Sequence, residues 1–467
     1  MTRHVDVAVI GSGPAGVSAA STAAGIGKRT VLIEREKALG GACVHHGTIP
    51  SKTLRETALE LRRARTHFER RGLSLEPSYA LDYMRERLGR VVEANANDIR
   101  AQLAARGVER LHGHARFVSP HALEITHQCG ETELVRADVI VLAVGSRPRL
   151  PQELAIDHEH VLDSDSILSL AYLPSSLAVL GGGVIGAEYA TIFAALGVRV
   201  TLLSRDKRPL PFVEEEITTR LVRRFEAMGG RYRGNARCQR VDIDEIDGPT
   251  VILEGGDTLR TDKVLVAAGR VSNVDKLHLD AAGLGGESTT LVVDANCRSR
   301  VPHIYGAGDV IGAPGLASTS MEQGRRAVCH AFGLPVTAAN DTIPIGIYTI
   351  PEIARVGCDE ATARRRDATT LVGRATFQRM ARGHILGAEG LLKLMVSRAT
   401  RQILGVSVFG DGAIELVHVG QVAMAGGMAV DRLVESTFNF PTLAEAYRTA
   451  ALDVLEQMTQ RPRSQAA

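Results

Sequence analysis

Two short glycine runs in this chain have the spacing that holds a pyrophosphate. Gly11, Gly13 and Gly16 form one G-x-G-x-x-G, and Gly181, Gly183 and Gly186 form another. The first glycine of such a run permits a tight turn out of a strand. The second lets backbone approach a pyrophosphate, and the third lets helix and strand pack closely, with the helix N-terminus facing the anion. Glu34 lies where the following strand ends, and a carboxylate there can accept both hydroxyls of a ribose. The same register counted from Gly181 lands on Ser204, followed by Arg205, Asp206, Lys207 and Arg208. A carboxylate at 204 would repel a 2′-phosphate. Serine removes that repulsion, and Arg205 can pair with the phosphate bidentately, so NAD and NADP both fit. The plainer reading makes Arg205 and Arg208 solvated loop charges.

These residues require strand–helix–strand frames to present them. Residues 5–34 read VDVAVIGSGPAGVSAASTAAGIGKRTVLIE and 176–204 read SLAVLGGGVIGAEYATIFAALGVRVTLLS. Each has an apolar strand, the glycine run, a helix of small residues, a glycine (Gly27, Gly197) and a second apolar strand. One such run is weak; two in matched frames form an internal repeat. Between them, 50–110 predict two charged amphipathic helices, followed by short strands to Val144. Further strands are expected at 251–253, 264–267 and 304–305, the last running into Gly306-Ala307-Gly308-Asp309. From about Asp341 the pattern turns to strands at 343–348, 391–396 and 403–409 and then helices, an α+β plan of a different kind. The polar tail after Gln460 is expected to fray.

The bulk numbers fit several domains: 467 residues exceed what one core accommodates. Lys plus Arg is 55 and Asp plus Glu is 53, a net charge of +2, so no bulk field calls for nucleic acid or an anionic membrane. Arg62-Arg63 and Arg364-Arg365-Arg366 read as solvated helix faces. No apolar run reaches the roughly 18 residues of a membrane helix, and the first residues lack the layout of a signal peptide. The six cysteines (43, 129, 238, 297, 329, 358) are scattered with no CxxC pair, so a reduced, cytoplasmic setting and no metal are expected. His45 and His46 are open to a catalytic or metal role as well as a plain one, and His418 reads as a packed or capping histidine.

Taken in order, GSGPAG (11–16), GGACVHHGTIPSK (40–52), AVGSRP (143–148), GGGVIGAE (181–188), AAGR (267–270), YGAGD (305–309) and FNFPTLAEAYR (438–448) resemble the FAD-dependent pyridine nucleotide-disulfide oxidoreductases over nearly the whole chain. The resemblance implies an α/β fold with two Rossmann-like dinucleotide-binding domains, for FAD and for NAD(P), and a C-terminal α+β dimerisation domain. FAD would be held by 1–150 and 271–340, NAD(P) by the inserted 151–270, and 341–467 would form a homodimer or higher homo-oligomer. It further implies that Asp309 binds the ribityl and pyrophosphate region and that Lys52 and Glu188 pair beside the flavin N5. Other cofactor contacts fall at Arg35, Gly41, Cys43, Ala115, Gly145, Gly269 and Ala317.

Departures from the disulfide-reducing pattern then matter. The disulfide-reducing enzymes relay electrons through two cysteines with four residues between them; here Cys43 is present, but Thr48 holds the second position. Phe440 stands before Pro441 where those enzymes carry histidine, so the acid/base of thiol chemistry is missing too. The segments around Thr48 and Phe440 are similar to the soluble pyridine nucleotide transhydrogenases of the family, which interconvert NADPH plus NAD⁺ with NADP⁺ plus NADH. Without a thiol relay, reduced flavin can lose its hydride only to something reaching N5, which suits ping-pong exchange between nucleotides. Cys43 is then either a catalytic thiol beside the flavin or an inert packed cysteine. Val184 stands where some relatives carry a gating tyrosine, and Tyr447 and Arg448 serve either the dimer or the flavin pocket. Rival expectations are an NAD(P)H oxidase, quinone or metal-ion reductase, a dihydrolipoamide dehydrogenase-like disulfide reductase, and a nucleotide sensor without turnover.

Overall fold

The computed structural model describes residues 2–69, 71, 77–244, 248–286, 289–336 and 342–459. The expected frayed tail past residue 460 and the change of plan near residue 341 lie outside them. The chain divides into two compact units, 1–173 with 265–339 and 174–264 with 340–467.

In the first unit, strand Thr2–Ile10 pairs in parallel with Thr30–Glu34 on one side and Thr132–Leu142 on the other. Glu109–Ser119 adds beyond Thr30–Glu34, and Ile304–Gly306 beyond Thr132–Leu142. Thr30–Glu34 is buried at every residue, as its apolar centre Val31-Leu32-Ile33 suits where a parallel sheet is covered on both faces. Two strands serve a second purpose. From Gly113 onward Glu109–Ser119 pairs antiparallel with Ala122–His127, which pairs in turn with the first half of Thr132–Leu142. Phe117, Leu123, Ile125 and Val135 of this meander share a core with Leu277 and Leu291. Helices Pro14–Gly25 and Ala317–Ala331 meet in another core, through Ala19, Ala20, Ala23, Ala327 and Val328. Their contact requires Gly324, where a Cβ would sit 2.1 Å from Ala15 O. The expected amphipathic pair is present as Thr48–Glu69 and Pro77–Ala105.

In the second unit, Ser176–Leu180, Arg199–Leu203 and Arg231–Arg233 are parallel, with helix Val184–Ala195 buried along almost its whole length. Cys238–Asp244, Gly248–Leu253 and Thr258–Arg260 form an antiparallel sheet. A five-stranded antiparallel sheet follows, in the order Ile345–Ile347, Ile353–Gly357, Ile403–Phe409, Leu391–Val396, Leu371–Thr376. The strands at 353–357 and 371–376 were not anticipated from the sequence. Each is short and contains a glycine and an arginine, which blurs the alternation that marks a half-buried strand. Ala187, Leu210, Ile217 and Leu221 share a core with Ile347, Ile353, Leu391 and Phe409, joining the two segments of this unit. Full burial of each large side chain contributes about 1.5–3 kcal/mol.

The junction also holds a buried charge cluster. Lys393, on a strand buried at every residue, has a side chain only 3% exposed. Its Nζ lies 3.1 Å from Glu214 Oε2, 3.0 Å from Glu216 Oε2 and 2.8 Å from Glu360 Oε2. Arg374 and Arg364 also reach Glu360, at 2.7 and 3.0 Å. Despite desolvation, the Lys393 ammonium with Arg364 and Arg374 holds the Glu360 carboxyl down at about 2, and with Arg374 and Arg220 it keeps Glu216 below the usual carboxylate range. The three carboxylates hold the Lys393 amine above its ordinary value.

Tyr447, open in the sequence between dimer and flavin pocket, is fully buried in the C-terminal core. Its hydroxyl donates to Leu416 O at 2.7 Å and accepts from Gly420 N at 3.1 Å. It therefore stands between the carbonyl and amide that helix Ala413–Ala425 would otherwise join directly. His418 bonds Gln421 Oε1 through Nδ1. No helix among the described residues is long and apolar enough to cross a membrane.

Candidate active site

Both glycine runs adopt the turn expected of them. Gly11 and Gly181 have φ of +103° and +125°, a region only glycine enters without strain. A Cβ on Gly16 would fall 1.8 Å from Gly11 O, and one on Gly186 would fall 1.9 Å from Gly181 O. The middle glycines behave differently. Around Gly13 and Gly183 a Cβ would meet nothing within 4 Å, so the space over these positions is open. Helices Pro14–Gly25 and Val184–Ala195 follow, both without a side-chain cap and without an acid in the first turn. No side chain caps their leading amides, an arrangement that suits an anion.

In the first unit the acceptor at the strand end is built with care. Glu34 is 6% exposed, and its Oε2 accepts from Ser12 N at 2.8 Å and Ser12 Oγ at 2.6 Å. Its Oε1 accepts from Glu36 N at 2.9 Å. A carboxylate has about four acceptor sites, so capacity for a ribose remains. Ser12 Oγ also accepts from Gly40 N, and the backbone of Gly41 comes so close to Gly13 that a Cβ would lie 3.0 Å from Gly13 Cα. Ser12 was missed in the sequence, although it sits inside the glycine run.

The remaining expected contacts of this unit fall around the same sheet. Ala115 is buried on strand Glu109–Ser119. Arg35 is exposed beside Glu36, and its charge helps burial hold His114 below the ordinary imidazole value. Gly145 and Gly269 both have positive φ, and Ala317 opens helix Ala317–Ala331. Asp309 accepts from Ser146 Oγ at 2.6 Å through Oδ2.

Cys43 lies in helix Gly41–His45, and Thr48 begins the next one. Burial pushes the Cys43 thiol above its ordinary value, against the pull of a hydrogen bond from Thr48 and the charge of Lys52. The residue standing in the second cysteine's place thus bonds the first, favouring its thiolate against burial, and offers no sulfur for a disulfide. All six cysteines are free. Lys52 Nζ lies 3.3 Å from Ser51 Oγ. His45 Nε2 bonds Leu39 O, and the charge of His46 acts on Asp165, a carboxyl that burial raises above its usual range.

In the second unit Glu188 is 4% exposed, and its Oε1 accepts from Tyr348 N at 2.8 Å. Ser204 is buried, and its hydroxyl accepts from Asp206 N at 3.1 Å and bonds Tyr232. The two arginines of this loop differ in their settings. Arg208 turns inward to Val213 O, Pro211 O and Thr218 Oγ1 and holds its loop. Arg205 is exposed with no hydrogen bond or ion pair among the described residues. Val184 packs against the Ala187–Leu210 core. Phe440 is 69% exposed and carries no acid/base function.

Comparison with known proteins agrees with this geometry. The family model described as pyridine nucleotide-disulphide oxidoreductase matches residues 5–324, and its dimerisation domain matches 343–451. The chain is 40% identical over 469 residues to a soluble pyridine nucleotide transhydrogenase of Mycobacterium tuberculosis, covering 98% of both. It is 38% identical to one of Vibrio vulnificus, covering 98% of this chain and 99% of the other. Among solved structures it is similar to LpdA of Mycobacterium tuberculosis, with TM-score 0.89, 30% identity and coverage of 96% and 99%. It is also similar to RclA of Escherichia coli, described as an HOCl-induced flavoprotein disulfide reductase, with TM-score 0.86, 26% identity and coverage of 96% and 99%.

Proposed function

Because the chain belongs to the pyridine nucleotide-disulphide oxidoreductase family, we propose that it is an FAD-dependent NAD(P)⁺ transhydrogenase interconverting NADPH plus NAD⁺ with NADP⁺ plus NADH. The single observation carrying this reading is the pairing of two intact dinucleotide cradles with a broken thiol relay: Thr48, not a sulfur, bonds Cys43. FAD, when bound, would supply two-electron hydride chemistry between successive nicotinamides.

The chain's own residues bind and orient. Gly13 and the amides opening helix Pro14–Gly25 receive the FAD pyrophosphate, and Glu34, fixed by Ser12 and Glu36, receives the adenosine ribose. Asp309 holds the ribityl region. Gly183 and the amides opening helix Val184–Ala195 receive the nicotinamide dinucleotide, and Arg205 takes the 2′-phosphate when NADP is bound. Ser204 presents no charge to that phosphate. Lys52 favours negative charge on the reduced cofactor, with Glu188 as its partner; this pairing is carried from the resemblance, as are the contacts of Arg35, Gly41, Ala115, Gly145, Gly269 and Ala317. We assign 1–150 and 271–340 to FAD, 151–270 to NAD(P) and 341–467 to assembly as a homo-oligomer, working in the cytoplasm.

Anaerobic titration tests the proposal. NADPH should bleach the flavin absorbance and NAD⁺ should restore it, one equivalent each. Bleaching without recovery on NAD⁺, but with recovery on oxygen or a quinone, would make the chain an oxidase or quinone reductase instead. Full exchange in Cys43→Ser would remove the dithiol reading.

A further inference from the structure

The AAGR motif ends in Arg270, a residue with no part in the reading above. Arg270 opens the short strand Arg270–Ser272, antiparallel to Ser146–Pro148, with Ser272 opposite Ser146. Its Nε donates to Ser146 Oγ at 2.8 Å and its Nη2 donates to Ser146 O at 2.8 Å. The guanidinium fork thus clamps one residue from two directions. Ser146 Oγ, its lone pair occupied by Nε, donates its proton to Asp309 Oδ2 at 2.6 Å. Nε itself stands 3.9 Å from that same oxygen.

The other end of Asp309 is fixed as well. Ser272 Oγ donates to Asp309 O at 3.1 Å, and Gly308 N, one residue before, donates to Gln323 Oε1 at 2.8 Å. Asp309 Oδ1 receives no hydrogen bond among the described residues. One oxygen of the carboxylate is pinned and the other is presented. The Asp309 charge also acts on the Cys43 thiol, so the presented oxygen belongs to the same neighbourhood as the Cys43–Thr48 turn. Behind Arg270 lies Asp165, whose carboxyl feels the charges of both Arg270 and His46.

We infer that Arg270 is a positioning residue for the cofactor: through Ser146 it orients the Asp309 carboxylate so that Oδ1 faces the FAD. This rests on the reading of Asp309 as an FAD ligand. A guanidinium suits the task because its planar fork sets both the position of Ser146 and the direction in which its hydroxyl proton points. An ammonium offers no such fork. With Arg270 removed, the Ser146 hydroxyl is free to rotate, and Asp165 and Asp309 lose the cation between them.

The test is a double-mutant cycle on FAD affinity, measured as flavin fluorescence released from diluted holoenzyme. Arg270→Met and Asp309→Asn should each raise the FAD dissociation constant by about tenfold or more, the scale of a lost charge-assisted hydrogen bond. Because one acts through the other, Arg270→Met should add under about twofold in the Asp309→Asn background. Arg270→Lys should recover only part of the affinity. A general packing defect would instead multiply with Asp309→Asn and respond to lysine no differently from methionine. Wild-type FAD affinity in Arg270→Met, or full multiplication of the two effects, overturns the inference. Asp309→Asn with unchanged affinity overturns the reading of Asp309 and this one with it. Should Arg270→Met fail to fold, Ser146→Ala removes the bridging hydroxyl alone and completes the same cycle.

Discussion

Replacing Lys393 by methionine keeps its length and removes its charge from a site where the side chain is 3% exposed. Three carboxylates whose oxygens lay within 3.1 Å of its Nζ then lose their shared cation, and Glu214, itself 7% exposed, has no other cation in an ion pair among the described residues. Removing one partner from a buried ion pair costs about 3–5 kcal/mol, because the remaining charge stays desolvated. Arg374 and Arg364 still neutralise Glu360, and Glu216 is one-third exposed, so the lower end, about 3 kcal/mol, is the working figure. At about 2–4 °C per kcal/mol for a domain of this size, the second unit should melt about 6–12 °C lower. Differential scanning calorimetry of the holoenzyme at fixed concentration reads this directly. The acid limb gives an independent check. Folding holds Glu360 well below its unfolded value, at about 2, so its contribution is fully present above about 4.5 and fades as pH falls towards 2. With Lys393 gone that shift shrinks, and stability should fall less steeply across the same window. A Met variant that melts within a degree or two of the parent, with an unaltered acid limb, would refute the reasoning.

Three further outcomes are expected. Arg205→Ala should raise KM for NADPH by about tenfold while leaving NADH unchanged, since a charge-assisted contact to the 2′-phosphate is lost; equal effects on both nucleotides would remove Arg205 from specificity. Gly183→Ala should melt like the parent yet lose nicotinamide dinucleotide binding, whereas Gly186→Ala, 1.9 Å from Gly181 O, should destabilise the second unit; calorimetry and nucleotide titration separate the two. Finally, His121 and His303 stack at 3.5 Å, and burial holds His303 below its ordinary value. The unfolded chain therefore binds that proton first, so stability should decline as pH drops below about 6.5, and His303→Gln should flatten that decline.

The glycine runs were legible because their demands are local: a turn, a helix–strand contact and a bare approach are fixed within six residues. Glu34 and Ser204 followed by counting. Arg205 was singled out by its place after Ser204, but the inward turn of Arg208 was not legible, because it depends on where 210–218 returns. Lys393 interrupts an apolar run in LLKLMV, but its carboxylates come from positions 214, 216 and 360, and no local pattern announces that meeting. Ser146 and Arg270 sat inside quoted motifs, yet their link to Asp309 exists only once three distant segments converge.

Tyr447 and Gly420 show how such convergence constrains change. A Cβ on Gly420 would lie 3.0 Å from the tyrosine hydroxyl, while phenylalanine at 447 would strip that hydroxyl's bonds from the Leu416 carbonyl and the Gly420 amide unless the helix closed to join them directly. Neither site tolerates drift alone. Any lineage that loses the phenol must close the gap in its penultimate long helix at the same stroke, so the two positions should be inherited as a single character.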